Sequence, residues 1–204
     1  MLGLIYKDFA VLKRSLWFFG LWFLAFGLFC GYLSSVDFFC GALSVFCAVL
    51  PLTTLSYDSQ CGWEGYALTL PVSRRALALS RYLLALIFTV ASVIVNFILR
   101  FFLAQDGSIG ATLTVVAAIG GAALVMIAFM LPLMYKFGVE KGRLFLILIV
   151  LLAVSLSFLI GDVFQRSNHS FLLQNLQWIA PLGGVVCFII SMMISLRIYA
   201  RKEF

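Results

Sequence analysis

The stretch YDSQCGWEGYALTLPVSRRALALSR, residues Tyr57–Arg81, is the longest polar interruption in an otherwise apolar chain. Apolar segments precede and follow it, at roughly Phe38–Leu55 and Leu77–Leu103. A helix needs about 20 mostly apolar residues to cross the hydrocarbon core of a membrane, and both segments are long enough. The chain is therefore predicted to cross a membrane on either side of this interruption, which is the best place for a soluble partner to bind.

The composition of the whole chain is that of an integral membrane protein. Of its 204 residues, 64% are hydrophobic and only 11% are charged, whereas soluble domains have roughly 45–50% and about 25%. We therefore predict an all-α integral membrane protein, with one transmembrane domain over residues 1–204 and no room for a soluble catalytic domain. Six apolar segments are predicted to span the bilayer: 16–33, 38–55, 77–103, 109–135, 144–160 and 178–198.

The first residues of the chain predict an amphipathic helix over 1–14. Its apolar side chains recur at helical spacing, and its charged side chains lie elsewhere around the turn. Such a helix lies in the interface between the membrane and the cytosol. The apolar positions are Leu2, Ile5, Phe9 and Leu12.

The positively charged residues predict the orientation of the spans. If the N-terminus is cytosolic, twelve of the fourteen Lys and Arg residues fall on the cytosolic side, and only Arg100 and Arg166 fall outside. Cytosolic loops of membrane proteins carry the excess of Lys and Arg, so both termini are predicted to be cytosolic. The net charge of +6 follows from this topology, and no nucleic acid is needed to explain it.

Glycines and prolines in the spans predict packing and bending. Gly27 and Gly31 form a GxxxG pair, which lets a second helix approach closely, although glycines that face lipid give the same pattern. Pro51 and Pro132 lie near the predicted cytosolic ends of spans two and four. Each proline removes a helix hydrogen bond, so each is either a hinge or a simple helix end. Small residues at every fourth position of span six predict a packing seam: Gly183, Cys187, Ser191 and Ser195.

Polar side chains are rare within the predicted spans. Asn96 and Arg100, one turn apart in the third span, form a candidate polar path, and snorkelling of Arg100 to the membrane surface is the simpler interpretation. The chain has one histidine, in a predicted outer loop, so histidine-based metal sites and catalytic pairs are not expected. No GxxxxGK(S/T) motif occurs. If ATP drives this protein, the ATPase is therefore a separate chain.

The polar interruption contains a pattern typical of a short helix with one apolar face. Asp58 or Ser59 is expected to cap its N-terminus, and Pro71 is expected to end it. Ser73 is expected to cap the third span. A helix that merely rests on the membrane surface is the alternative interpretation. The apolar positions, at i, i+3, i+4 and i+7, are Trp63, Tyr66, Ala67 and Leu70.

Two glycines in this stretch limit the length of the predicted helix. Gly62 and Gly65 are poor helix formers, and each weakens a helix by roughly 1 kcal/mol. We therefore predict a helix that is short, or one that becomes ordered only when a partner is bound. The arginines that follow, Arg74, Arg75 and Arg81, are expected at the lipid headgroups.

At these residues the chain resembles a known family. The string WEGYALTLPVSR (Trp63–Arg74), followed by Ser80–Leu83, is similar to the second loop of small bacterial ABC-transporter permeases of the type 2 exporter class. The six predicted spans, the amphipathic N-terminal helix with its Lys7-Asp8 pair and the missing nucleotide site agree with that family over essentially the full chain.

The resemblance implies a permease subunit in the bacterial cytoplasmic membrane that exports peptide or other amphipathic or apolar cargo. Its segment 57–75 would carry a coupling helix that docks on a cytosolic ABC ATPase, and that partner, not this chain, would bind ATP and Mg. Two permeases, identical or different, would pair around a central path among membrane lipids. The candidates for their interface are the first span, with Gly27 and Gly31, and the fifth span. The docking residues implied are Asp58, Ser59, Trp63, Glu64, Tyr66 and Leu70.

Two other classes of function remain open from the residues alone. A membrane scaffold or sensor subunit that works without an ATPase is the alternative interpretation. An intramembrane enzyme is a third, and the lack of histidines and carboxylates within the predicted spans argues against it.

Overall fold

The structure, a computed structural model, describes residues 2–32, 36–67, 69, 73–103, 108–142, 144–145, 147–148, 151 and 170–201. Every regular element among these residues is helical, which confirms the predicted all-α fold. We number in chain order the six helices whose bounds the structure describes: α1 (Leu2–Tyr32), α2 (Val36–Gln60), α3 (Trp63–Ala67), α4 (Arg74–Leu103), α5 (Ile109–Phe137) and α6 (Ser170–Arg201).

Four described stretches are long and apolar enough to cross a membrane, and they overlap predicted spans two, three, four and six. Residues 16–32 of the predicted first span lie within α1, and much of the predicted fifth span, 144–160, lies outside the described residues. The six-span topology therefore stays a prediction. The four stretches are Val36–Gln60, Arg75–Leu103, Ile109–Phe137 and Pro181–Tyr199.

The first helix differs from the sequence-based expectation. Residues 1–14 and 16–33 were expected as an interfacial helix and a separate span, but α1 runs without a break from Leu2 to Tyr32. Neither glycine nor proline occurs between residues 4 and 19. Since these are the residues that most readily interrupt a helix, nothing in the local sequence stops its propagation.

The start of α4 agrees with the prediction. Ser73 precedes the helix, and its side-chain Oγ accepts a hydrogen bond from the backbone N–H of Ala76 at 3.2 Å. This bond satisfies one of the amide groups that a helix start leaves without an intrahelical partner, so Ser73 is the N-cap of α4.

The two prolines that the sequence marked as hinges or helix ends lie inside helices and do not end them. Pro51 is followed by further turns of α2, and Pro132 by further turns of α5. A proline at 132 cannot donate to the carbonyl of Ala128, four residues earlier. Instead that carbonyl accepts a hydrogen bond from Ser191 Oγ of α6 at 2.5 Å, so the neighbouring helix replaces the lost bond.

Helices α5 and α6 pack through small residues, as predicted for span six. The backbones touch at Gly121 and Gly184, where a Cβ added to Gly184 would lie 2.6 Å from the Gly121 carbonyl oxygen. Ser191 and Ser195 continue the contact, and both are buried. We call these four residues the glycine seam. Gly183, which was expected in the seam, has open space around its Cβ position and lies outside it.

Helices α2 and α4 pack through polar residues. Asn96 Nδ2 donates to Ser44 Oγ at 2.7 Å in the middle of the contact. The described residues also form an ion pair at each end of it, between Arg100 and Asp37 and between Arg81 and Asp58. We call these three contacts the polar seam. About 29 Å of helix separates Arg81 from Arg100, which matches the hydrocarbon thickness of about 30 Å.

The predicted cytosolic segments lie together in one half of the bundle. An apolar cluster there contains side chains of α2 to α6, and Leu4 of α1 packs against it. Both the start of α1 and the end of α6 contribute to it, so the two ends of the described chain lie on the same side, as the predicted topology requires. The residues that represent each helix at this cluster, in chain order, are Leu4, Leu55, Ala67, Tyr82, Tyr135 and Tyr199.

Candidate functional site: a buried ion-pair network beneath a short exposed helix

A sharp turn separates α2 from α3. The N–H of Cys61 donates to the carbonyl of Tyr57 at 3.0 Å, and Gly62 follows with a φ of +64°. Glycine adopts this left-handed conformation without a steric cost, which is why it commonly follows the end of a helix. Gly62 therefore separates two helices, whereas the sequence analysis placed it inside one.

The predicted caps of the short helix are wrong. Asp58 and Ser59 lie in the last turn of α2, and α3 begins only at Trp63. The helix has five residues and ends at Ala67, so it is short. That it serves as a coupling helix stays a prediction.

The two sides of α3 have different surroundings. Ala67 is buried and Trp63 packs against the apolar cluster, so these residues face the bundle. Tyr66 is 59% exposed, although its ring lies 5.4 Å from the ring of Trp63. The bundle thus occupies part of the apolar face that was predicted for a partner. The side chain of Glu64 and all of Leu70 lie outside the described residues.

Four charged residues meet beneath α3. Lys7 Nζ of α1 donates to both carboxylate oxygens of Asp58 in α2, at 2.8 and 2.7 Å. Arg81 of α4 forms ion pairs with the same carboxylate and, at 2.8 Å, with Asp8 of α1. Lys7 Nζ also pairs with Asp8 Oδ1 at 3.3 Å. We call Lys7, Asp8, Asp58 and Arg81 the ion-pair network; with all four groups ionised its net charge is zero.

Three members of the network are almost completely removed from solvent. Asp8 is 1% exposed, Asp58 6% and Arg81 7%. Arg81 therefore faces the other helices and not the lipid headgroups among which it was expected, although its distance from Arg100 matches a position at the membrane surface. A buried charge is very costly unless an opposite charge compensates it, and Arg81 turns inward to two carboxylates that also need a partner.

Lys7 joins the network to α3. Its Nζ lies 4.3 Å from the ring centroid of Trp63, within the range of a cation–π interaction. Burial lowers the pKa of Lys7 from 10.5 to about 8; Arg81 lowers it too, while Asp8 opposes the shift. One side chain thus contacts α1, α2 and α3.

The network also reaches the proline in α2. Arg81 donates to Thr54 Oγ1 at 2.8 Å, and the Thr54 hydroxyl donates to the carbonyl of Pro51 at the same distance. The candidate hinge at Pro51 is thus two hydrogen bonds away from Arg81. Pro132 is not part of this chain of contacts.

Other predicted site residues lie elsewhere. Asn96 and Arg100 belong to the polar seam, and their contacts with α2 account for their burial. A Cβ at Gly27 would lie 3.4 Å from the ring of Phe39 in α2, so this glycine packs within the chain. The surroundings of Gly31 lie outside the described residues.

The sequence analysis missed the polar face of α4, although a signal for it was present. Polar residues recur at helical spacing from one end of this helix to the other, which is the pattern of a single buried face. All of them are buried in the structure: Arg81, Thr89, Ser92, Asn96 and Arg100. Among the described residues, no group of three His, Cys, Asp or Glu side chains could hold a metal ion.

Comparison with known proteins gives one match. A sequence model of the family described as ABC-2 family transporter protein matches residues 3–200. No curated protein and no solved structure matches the chain.

Proposed function

The chain belongs to the ABC-2 transporter family, and on this basis we propose that it is the permease subunit of an ATP-driven exporter. The cargo is peptide or another amphipathic or apolar molecule, and it leaves the cell across the bacterial cytoplasmic membrane. A separate cytosolic ABC ATPase binds ATP and Mg. This chain supplies the path through the membrane and the surface on which the ATPase docks.

The observation that carries the docking proposal is the position of α3. It is a short helix between two membrane-spanning candidates, with Tyr66 exposed on one side and Trp63 held against the bundle on the other. Tyr57, in the last turns of α2, is 46% exposed. We call Tyr57, Ser59 and Tyr66 the docking surface; Glu64 and Leu70 extend it in the proposal.

The arrangement supports a specific route for the movement. ATP binding closes the ATPases and displaces α3, and α3 contacts α2 and the ion-pair network. Pro51, which the network reaches through Thr54, is the hinge nearest to this contact. Pro132 is the second hinge, in α5.

A second permease completes the transport path. The side of α1 that carries Leu24 and Leu28 is strongly exposed, and we propose that it meets the second chain. Gly31 is a further candidate for this interface. Gly27 already packs against Phe39 and supports the pairing only by holding α1 against α2.

Copurification tests the proposed function. The chain is expressed with the ABC ATPase encoded nearest to it, and we expect the ATPase to copurify and its ATP turnover to rise. Tyr66→Ala should reduce the copurified ATPase about tenfold or more, because exposed tyrosines at the centre of an interface are frequent hot spots.

Tyr6→Ala is the matched control. Tyr6 is 79% exposed and lies outside the docking surface, so this variant should retain the ATPase. Failure of the unchanged protein to bind the ATPase would overturn the permease assignment and favour a scaffold or sensor subunit. If Tyr66→Ala and Tyr6→Ala lose the same amount of copurified ATPase, the assignment of the docking surface is wrong, but the permease assignment stands.

A further inference from the structure

We propose that the first turns of α1 belong to the element that transmits movement from the ATPase, and that Lys7 is the residue that joins them to α3. This inference rests on the proposed function, since it assumes that an ATPase displaces α3. It assigns Lys7 and Asp8 a role as positioning residues, in addition to the docking surface itself.

The first step is the set of contacts that Lys7 makes. It bonds both oxygens of Asp58, pairs with Asp8 and lies over the ring of Trp63. Asp8 in turn pairs with Arg81. A displacement of α3 that moves the Trp63 ring must therefore either carry Lys7 with it or separate a cation from its partners.

The second step is the weakness of α3 by itself. A helix of five residues has too few internal hydrogen bonds to be stable alone, so its position depends on its contacts. Trp63 provides these contacts, against the apolar cluster and Lys7. The cation–π contact thus fixes α3 relative to α1 as well as to α2.

The third step is the continuity of α1. The helix runs from Leu2 to Tyr32 with no proline, about 45 Å at 1.5 Å per residue. A movement imposed at Lys7 is therefore carried along a single helix that is longer than the bilayer is thick. One side of this helix is exposed at Trp17, Leu21 and Leu24, so the described chain does not hold it on that side.

A charge-balanced variant tests the inference. Lys7→Met/Asp8→Asn removes one cation and one anion, and it leaves Asp58 paired with Arg81. The docking surface is untouched, so the nearest-encoded ABC ATPase should still copurify. Stimulation of its ATP turnover should fall about fivefold or more, since coupling between sites commonly has this size.

The matched control is Asp37→Asn/Arg100→Met, which removes an ion pair at the other end of α4. This variant should bind and stimulate the ATPase like the unchanged protein. Lys7→Arg keeps the cation over Trp63 and should also retain stimulation. Stimulation of ATP turnover that survives in Lys7→Met/Asp8→Asn would overturn the inference. A loss of ATPase binding in that variant would overturn it too, because the two residues would then be needed for folding in general and not for transmission.

A second measurement needs no ATPase, so it tests the contact between α1 and α3 even if the proposed function fails. Lys7→Met, Trp63→Leu and the double variant are compared by thermal unfolding in detergent. If the two residues act as one contact, the fall in Tm of the double variant is smaller than the two single losses added together. Additive losses would show that Lys7 and Trp63 act independently, which would overturn the inference.

Discussion

The polar seam between α2 and α4 and the glycine seam between α5 and α6 hold helices together in different ways. In the glycine seam the backbones of Gly121 and Gly184 touch, and Ser191 adds a hydrogen bond to the Ala128 carbonyl of α5. In the polar seam, hydrogen bonds and ion pairs join side chains, as between Asn96 and Ser44. The proposed docking helix α3 is attached to the polar seam, through Asp58 and Lys7.

The difference shows where the molecule can move. Close backbone packing has one arrangement, since any shift separates the two surfaces or makes them clash. Ion pairs and hydrogen bonds can be exchanged for other partners, which is why polar networks are used as switches. The contact between Gly121 and Gly184 therefore suits a fixed part of the bundle, and the cytosolic end of the polar seam suits a part that responds to an ATPase.

The largest effect is expected at the cytosolic end of the polar seam. Arg81→Met leaves the buried carboxylates of Asp8 and Asp58 with Lys7 alone, and breaking a buried ion pair in this way costs about 3–5 kcal/mol. Arg100→Met is the matched change at the other end. Its partner Asp37 is 65% exposed on its side chain, so water solvates the remaining charge and the loss should stay below about 1 kcal/mol.

The Tm of both variants is measured by thermal unfolding in detergent. A much larger fall in Tm for Arg81→Met is expected. Equal losses would show that the two ends of the polar seam are energetically alike, and the contrast drawn between them would be lost.

An intermediate effect is expected in the glycine seam. Gly184→Ala places a methyl group 2.6 Å from the Gly121 carbonyl oxygen, so the helices must shift, and overpacking of this kind costs about 1–3 kcal/mol. Gly183→Ala is the control in the neighbouring position, where the added carbon meets nothing within 4 Å. That variant should unfold like the unchanged protein, and a similar loss at both positions would contradict the assignment of Gly184 to the seam.

The smallest effect concerns pH and should occur in the ion-pair network, at the Arg81–Asp58 end of the polar seam. Because the pKa of Lys7 is lowered to about 8, the unfolded chain binds more protons than the folded one between pH 8 and 10.5. The free energy of unfolding should therefore rise with pH in this window, relative to Lys7→Met, and the difference should be constant below pH 8.

The groups that face Lys7 help to isolate this effect. Arg81, Asp8 and Cys61 act on the pKa of Lys7 through their charges, and the comparison with Lys7→Met isolates the contribution of Lys7 itself. Tm measured against pH for the two proteins gives the difference. The loss caused by Gly184→Ala should not change over the same range, and a parallel change in both seams would contradict the contrast between them.

Much of the fold followed from the sequence because it depends on composition and on local signals. The apolar segments predicted the membrane-spanning candidates, Ser73 marked the start of α4, and the glycines at 62 and 65 predicted a short helix after α2. The resemblance at Trp63–Arg74 predicted the family that the comparison confirmed.

The candidate site was only partly predictable, because its contacts join distant parts of the chain. Lys7 and Asp58 are 51 residues apart, and Tyr82 bonds Ser191 and Ser195 over more than a hundred residues. No local pattern pairs such residues. The sequence thus indicated Asp58 and Trp63 as residues of interest, but assigned both to a partner surface when the bundle holds them.

The sequence by itself determined that this is an α-helical membrane protein of the ABC-2 family, and which of its segments are apolar. Only the tertiary structure decided which helices meet and which side chains pair. Where both sides of a helix in lipid are apolar, the hydrophobic pattern does not distinguish them as it does in water, and α4 with its polar face is an exception. The direction in which Arg81 and Trp63 turn is set by the partners that remove the cost of burying them, and the packing of the helices supplies those partners.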